Sequence, residues 1–195
     1  MVDGLVGSEM CIRDRNIMLE PHLGGHQNKT HLDNGALDWL IKTFNAKSFL
    51  DIGCGPGGMV ELAKSKGLLV KGIDGDHTLK RPNETDYTLH DFSKAPLIPD
   101  FEYDLGWSVE FVEHVEEKYI PNYMPLFELG KIAVVTAAPP GWPGHHHVNC
   151  REESYWVDVF KNYGLRFNEQ LTNEFKGLSQ MRKNFFKRAG MVFLK

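Results

Sequence analysis

The sequence predicts an α/β fold built on a mostly parallel sheet. Two observations carry this. Ser48 to Asp74 reads without a break as strand, glycine loop, helix, strand and acid, the layout of a βαβ unit. Further on, strand-like runs at Tyr103–Ser108 and Lys131–Ala137 alternate with helical patterns. The second run is apolar on both faces, as a strand inside a parallel sheet is.

With 195 residues, 42% hydrophobic and 11% aromatic, the chain has the apolar content for the core of one globular domain. A formal net charge of −4 gives no electrostatic reason to expect a nucleic-acid partner. Lys176, Arg182, Lys183, Lys187 and Arg188 cluster late in the chain and read as a solvated face. Three cysteines (Cys11, Cys54, Cys150) fit no disulfide framework, which points to a reducing, cytoplasmic setting. No apolar run approaches a membrane span and no secretory leader is readable, so a soluble protein is expected. Nothing in the sequence fixes the oligomeric state.

Met1 to Arg15 shows no amphipathic period and resembles a peptide that recurs as translated adapter sequence in assembled environmental DNA. It is expected to be non-native or disordered, with the natural N-terminus missing or altered, leaving residues 16–195 as the domain. Asn16 to Thr30 is a polar approach containing Gly24-Gly25. Asp33 is the expected N-cap of a helix through Asn45, with Ala36, Leu37, Leu40, Ile41 and Phe44 on one face.

Ser48–Ile52 is a buried strand that runs into Gly53-Cys54-Gly55-Pro56-Gly57-Gly58, where no strand can continue. Met59 to Lys66 turns helical and Gly67 stops it. A second strand, Leu68–Ile73, delivers Asp74 at its carboxyl end. After a turn-rich stretch (Arg81 to Thr85), Tyr87–His90 is a short third strand followed by Asp91-Phe92. Tyr103–Ser108 is the fourth. Tyr119 to Leu129 is a helix starting near Pro121, and residues 131–137 form the fifth strand, broken by 138–144 with its three prolines. Asn149 with Glu152 fits a capping box for a helix from Arg151 to Tyr163. Its face is Tyr155, Trp156, Val159, Phe160 and Tyr163. Leu165–Leu171 reads as a strand, Asn173–Arg188 as mostly helical or irregular, and Gly190–Leu194 as the last strand.

Gly53, Gly55 and Gly58 meet the G-x-G-x-x-G pattern of a dinucleotide loop, but Gly53, Gly55 and Gly57 meet G-x-G-x-G equally well. Asp51 decides between them. A pyrophosphate at a helix N-terminus wants no carboxylate nearby, whereas a cofactor with a cationic sulfonium and ammonium can use one. Leu50-Asp51-Ile52-Gly53-Cys54-Gly55-Pro56-Gly57 resembles the first motif of the class I S-adenosylmethionine-dependent methyltransferases, and the resemblance extends over about Thr30 to Lys195.

That resemblance implies a three-layer α/β/α sandwich with a seven-stranded, mostly parallel sheet, its last strand antiparallel and inserted beside the fifth, and a domain complete at its C-terminus. It implies S-adenosylmethionine as cofactor, held by Asp51, Gly53, Cys54, Gly55, Gly57, Asp74, Gly75, Asp91 and Phe92. Asp74 would accept the ribose hydroxyls, Asp91 the adenine amino group, and Phe92 would pack on the adenine ring. Trp107 and Ser108 would flank the methionine part, an indole face near a sulfonium gaining about 1 kcal/mol. Thr30, His31 and Asp33 would contact the cofactor as a lid, or serve only for capping and solvation.

In an open parallel sheet the crevice lies where the strand order reverses, so Ser108 to His114 should face the glycine loop. The run His145-His146-His147 follows the fifth strand on the same edge. Neighbouring histidines in an extended loop alternate in direction, and no CxxC or HExxH spacing supports them, so no metal is expected. Two readings stand: one of His145, His146, His147 or His114 takes the acceptor's proton while Glu110 or Glu113 orients it, or Pro139 to Asn149 only shapes the pocket and caps the next helix. Asn-Pro-Pro-Tyr is absent after the fourth strand, which disfavours base or glutamine methylation. A small molecule or sugar, methylated at oxygen or nitrogen, is the expected acceptor. The rival readings are a module that binds the cofactor without turnover and an NAD-dependent oxidoreductase, for which no Tyr-x-x-x-Lys pair is present.

Overall fold

A computed structural model describes residues 19–98 and 102–195; Met1–Arg15 lies outside them. Seven strands form one sheet: β1 (Ser48–Ile52), β2 (Leu69–Asp74), β3 (Tyr87–Leu89), β4 (Tyr103–Ser108), β5 (Gly130–Thr136), β6 (Arg166–Phe167) and β7 (Gly190–Leu194). Their order is β3-β2-β1-β4-β5-β7-β6. The pairs from β3 to β5 are parallel, and β7 lies antiparallel between β5 and β6. The sheet expected from the resemblance is the one observed.

Strand alternation sends side chains to two cores. Leu50, Ile52, Ala133, Val135 and Phe193 pack on one face against α3 (Ile120–Glu128) and α4 (Glu153–Asn162). Phe49, Trp107, Ile132, Val134 and Val192 pack on the other. Their partners are α1 (Asn34–Phe44), α2 (Gly58–Ser65), α5 (Glu169–Leu178) and α6 (Phe185–Ala189). Helices thus cover both faces, which a mostly parallel sheet requires. Asp33 caps α1 as expected, its carboxylate accepting from Ala36 N–H at 3.0 Å.

Two expectations fail here. Asn149 does not form a capping box: α4 begins at Glu153 with Glu152 at the N-cap and no side-chain capping bond. Asn149 is instead buried, its amide oxygen accepting from Arg151 Nε at 3.1 Å. The strand read over Leu165–Leu171 is only β6. Asn168 ends it by accepting from Leu171 N–H at 2.9 Å and starting α5. A good N-cap outweighed the alternation of the sequence.

Candidate active site

The strand order reverses between β1 and β4, and the loops leaving their carboxyl ends face each other there. After β1 the chain folds over the end of β2, with Gly53 and Cys54 N–H donating to the Ile73 carbonyl at 2.9 and 3.1 Å. Gly53 has φ +76°, and a Cβ there would stand 2.5 Å from the Phe111 ring. Gly55 N–H donates to Asp74 at 2.8 Å. Gly53, Cys54 and Gly55 line a cavity of about 1510 Å³. Gly57 does not. With φ +87° it starts α2, and a Cβ on it would run into the Tyr87 ring. It turns the loop into the helix, beside the wall that Gly53, Cys54 and Gly55 form.

Asp51, Asp74, Gly75, Asp91, Phe92 and Trp107 also reach the cavity wall. Asp51 is 4% exposed, and burial, helped by the Asp74 charge, pushes its carboxyl well above the usual range. Asp74 also accepts from Asp76 N–H at 2.8 Å and stands 3.5 Å from Arg81. Asp91 accepts from Ser93 N–H at 2.9 Å and pairs with His22 Nε2 at 3.0 Å. Burial raises its carboxyl, but these hydrogen bonds outweigh it and leave the group below the ordinary range. Phe92 is buried against His90, Phe111 and Tyr123. Trp107 is mainly core, packed among Phe49, Phe175 and Phe186. Ser108 is absent from the wall: fully buried, it donates its hydroxyl to the Ile52 carbonyl at 2.9 Å and ties β4 to β1.

Residues 19–32 cross the mouth of the cavity, and sequence reasoning did not assign His22 and His26 to it. His26 Nε2 pairs with Asp76 at 3.0 Å, and Gly58 N–H donates to Thr30 Oγ1 at 3.1 Å. Isolated histidines in a polar approach carry no periodic signal, so only the fold reveals them. Thr30 and His31 line the cavity. Asp33 does not: it is fully buried at the start of α1. Arg182 and Lys183 of the late basic cluster stand at the cavity rim.

The opposite wall comes from the segment after β4 and the loop after β5. Glu110 takes φ +52°. Its N–H donates to Thr136 Oγ1 at 2.8 Å, and that hydroxyl donates back to Glu110 Oε1 at 2.9 Å. Glu113 is fully buried; its Oε1 accepts from Ala138 N–H at 3.2 Å, while Oε2 has no partner. Burial first, and the neighbouring Glu110 second, push its carboxyl well above the usual range. The Glu113 carbonyl accepts from Val148 and Asn149 N–H, both at 3.0 Å, and so pins the histidine loop.

That loop brings His147 to His114, with ring centroids 4.9 Å apart. His147 Nδ1 meets the Trp142 carbonyl at 3.0 Å. His114 Nδ1 is buried without a partner, and burial, then His147, lowers this imidazole to about 4. The side chains of Glu113, His114 and His147 bring ligand atoms within 4.8 Å of one another. His145 points elsewhere, its Nε2 at 2.9 Å from the Leu23 carbonyl, and His146 lies near His22. Of the three consecutive histidines, His147 alone joins the cluster.

The family model described as "Methyltransferase domain" matches residues 50–122, which hold the glycine loop and the segment after β4. No curated protein matches the sequence. Among solved structures, the chain is similar to a TehB-like SAM-dependent methyltransferase of Corynebacterium glutamicum, with TM-score 0.58 and 20% identity over 84% of this chain and 89% of that one. It is also similar to magnesium protoporphyrin IX methyltransferase of Synechocystis with bound SAM, with TM-score 0.53 and 16% identity over 80% and 74%. A third is Burkholderia thailandensis 1,6-didemethyltoxoflavin-N1-methyltransferase with bound 1,6-didemethyltoxoflavin and S-adenosylhomocysteine, with TM-score 0.55 and 12% identity over 83% and 75%.

Proposed function

This chain carries a methyltransferase domain of class I type, and from that premise we propose that it binds S-adenosylmethionine and transfers the methyl group to oxygen or nitrogen of a small-molecule or sugar acceptor. One observation carries the reading. A single cavity of about 1510 Å³ has acids and glycines on one wall and a glutamate–histidine wall opposite. It exceeds the roughly 300–1,000 Å³ of ordinary small-ligand pockets, leaving space for cofactor and acceptor together.

The geometry supports a role for each of these residues. Asp51 at the end of β1 sets a carboxylate against a cationic donor, and Asp74 offers lone pairs to ribose hydroxyls beside the loop it already holds. Asp91 and Phe92 take the adenine end. The bound cofactor supplies an electrophilic methyl on a good leaving group, so alignment is most of what the protein must add. An amine acceptor needs little more. A hydroxyl must also lose a proton, and the wall of Glu110, His114 and His147 supplies polar groups on that side. The small-molecule reading is supported by two of the structural neighbours, whose names specify a porphyrin and a toxoflavin precursor.

Calorimetric titration with S-adenosylhomocysteine, with NAD in parallel, tests the proposal. Micromolar-range binding of the first alone supports it. Binding of NAD, or of neither, overturns it, and binding without turnover on any acceptor leaves the non-catalytic module.

A further inference from the structure

We propose that Glu113, His114 and His147 are the protein ligands of a divalent first-row transition-metal ion at the acceptor side of the cavity. Ligand atoms at about 2.1 Å from one ion can stand at most about 4.2 Å apart. The three here lie within 4.8 Å of one another, so the widest pair must close by about half an ångström if it sits in line through the ion and by about 1.4 Å at the tetrahedral angle.

Two of the three donors lack an N–H or hydroxyl partner at the atom that would bind, although the Glu113 carboxyl also faces that of Glu110. Glu113 Oε2 and His114 Nδ1 are buried with no hydrogen-bond partner, and Glu113 is 0% exposed. Buried polar groups are ordinarily paired, and a buried carboxylate is paired with a cation or a strong donor. The far side of each anchored ligand is already fixed. Ala138 N–H holds Glu113 Oε1, which leaves Oε2 available to a further partner. The Trp142 carbonyl can only accept, so His147 donates from Nδ1 and keeps its Nε2 lone pair free. Metal-bound imidazoles show this arrangement, with the second ring nitrogen donating to a carbonyl or carboxylate. The Glu110 carboxyl lies beside that of Glu113.

Two imidazoles and one carboxylate, with no thiolate, suit Mn²⁺, Fe²⁺, Co²⁺ or Zn²⁺ better than Mg²⁺ or Ca²⁺, which favour all-oxygen sites. His114 and His147 reach the cavity wall, so the remaining coordination positions would face the acceptor space. An oxygen donor of the acceptor is the ligand expected there, and this use of the metal rests on the methyl-transfer reading. Metal binding itself does not.

The test is titration of chelator-stripped protein with Co²⁺, followed by its visible absorption, and with Mn²⁺ and Zn²⁺ by calorimetry, with Mg²⁺ as comparator. One equivalent of Co²⁺ with ligand-field bands is expected. His147→Ala and Glu113→Gln should weaken binding by about ten-fold or more. His145→Ala combined with His146→Ala should leave it unchanged. If Glu113→Gln fails to fold, His147→Ala, altered where His147 is only partly buried, carries the comparison. No stoichiometric binding, equal affinity in His147→Ala, or loss only in the His145/His146 variant overturns the proposal. S-adenosylhomocysteine affinity measured in chelator separates the two readings: kept without metal binding, it overturns the metal site alone. If the metal binds and the nucleoside does not, the methyl-transfer reading fails alone.

Discussion

Asp74 accepts a hydrogen bond from the Gly55 backbone N–H at 2.8 Å, so a carboxylate at the end of β2 fixes the loop that leaves β1. The group assigned to the cofactor's ribose is therefore also the clamp that shapes the cofactor's loop. Asp74→Ala should lower S-adenosylhomocysteine affinity by about 10- to 100-fold, the range for hydrogen bonds to a charged group. It should also lower the melting temperature, because Gly55 and Asp76 lose their acceptor. Unchanged affinity in calorimetry sinks the ribose assignment.

Asp51 should make cofactor binding depend on pH. Its carboxyl is raised well above the ordinary range in the free protein, by burial first and Asp74 second. A cationic ligand binds the carboxylate form better, so binding releases a proton and affinity should rise as pH increases through the raised value. The same raised value means that ionising Asp51 opposes folding above the ordinary aspartate range, and the bound cation offsets this. Titrations across about pH 5 to 8 should show the rise, and Asp51→Asn should flatten it. A wild-type profile as flat as that of the variant refutes the charge role.

Gly57→Ala and Gly67→Ala separate backbone strain from collision. Both glycines have similar positive φ, +87° and +85°, yet a Cβ at Gly57 meets the Tyr87 ring and one at Gly67 meets nothing within 4 Å. Gly67→Ala should cost about 1 kcal/mol, and Gly57→Ala about 2–4 kcal/mol in urea unfolding. Equal costs would remove the contact with Tyr87 from the account.

Asp33 joins two distant parts of the chain. Its carboxylate accepts from Ala36 N–H at 3.0 Å, from Gln180 N–H at 2.9 Å and from the Ser179 hydroxyl. Asp33→Ala should destabilise by about 3 kcal/mol, more than an ordinary cap, because it leaves buried donors unpaired. Ser179→Ala, which removes one donor, should cost about 1 kcal/mol. Similar values for the two variants in denaturant melts would mean that Asp33 acts only as a cap.

The legible parts of the sequence were those whose signal is local. Gly53 to Gly57 must be glycine-rich to leave a strand, turn over β2 and open a helix, and β1, α2 and β2 follow from that. The misread parts depended on distant partners. Leu165–Leu171 alternates like a strand, but only two residues of it find an edge on β7, and Asn168 starts a helix. Asn149 has the spacing of a cap but is buried beneath the histidine loop that Glu113 pins. Ser108 has the right strand but faces β1. Glu113, His114 and His147 carry no CxxC or HExxH spacing and are brought together only by the loop after β5, so the sequence gives no local sign of their grouping. His22 reaches Asp91 from a segment with no periodicity at all.

The placement of β7 between β5 and β6 has a consequence for biosynthesis. While the ribosome is still making the chain, β1 to β5 can assemble in parallel as they emerge, but Ile132–Thr136 keeps one side of its backbone unpaired until residues 190–194 arrive. The nascent protein thus carries an open, apolar edge while residues 137–189 are being added, the kind of surface on which unfinished chains pair with one another. A stop codon shortly before Gly190 would make that transient state permanent.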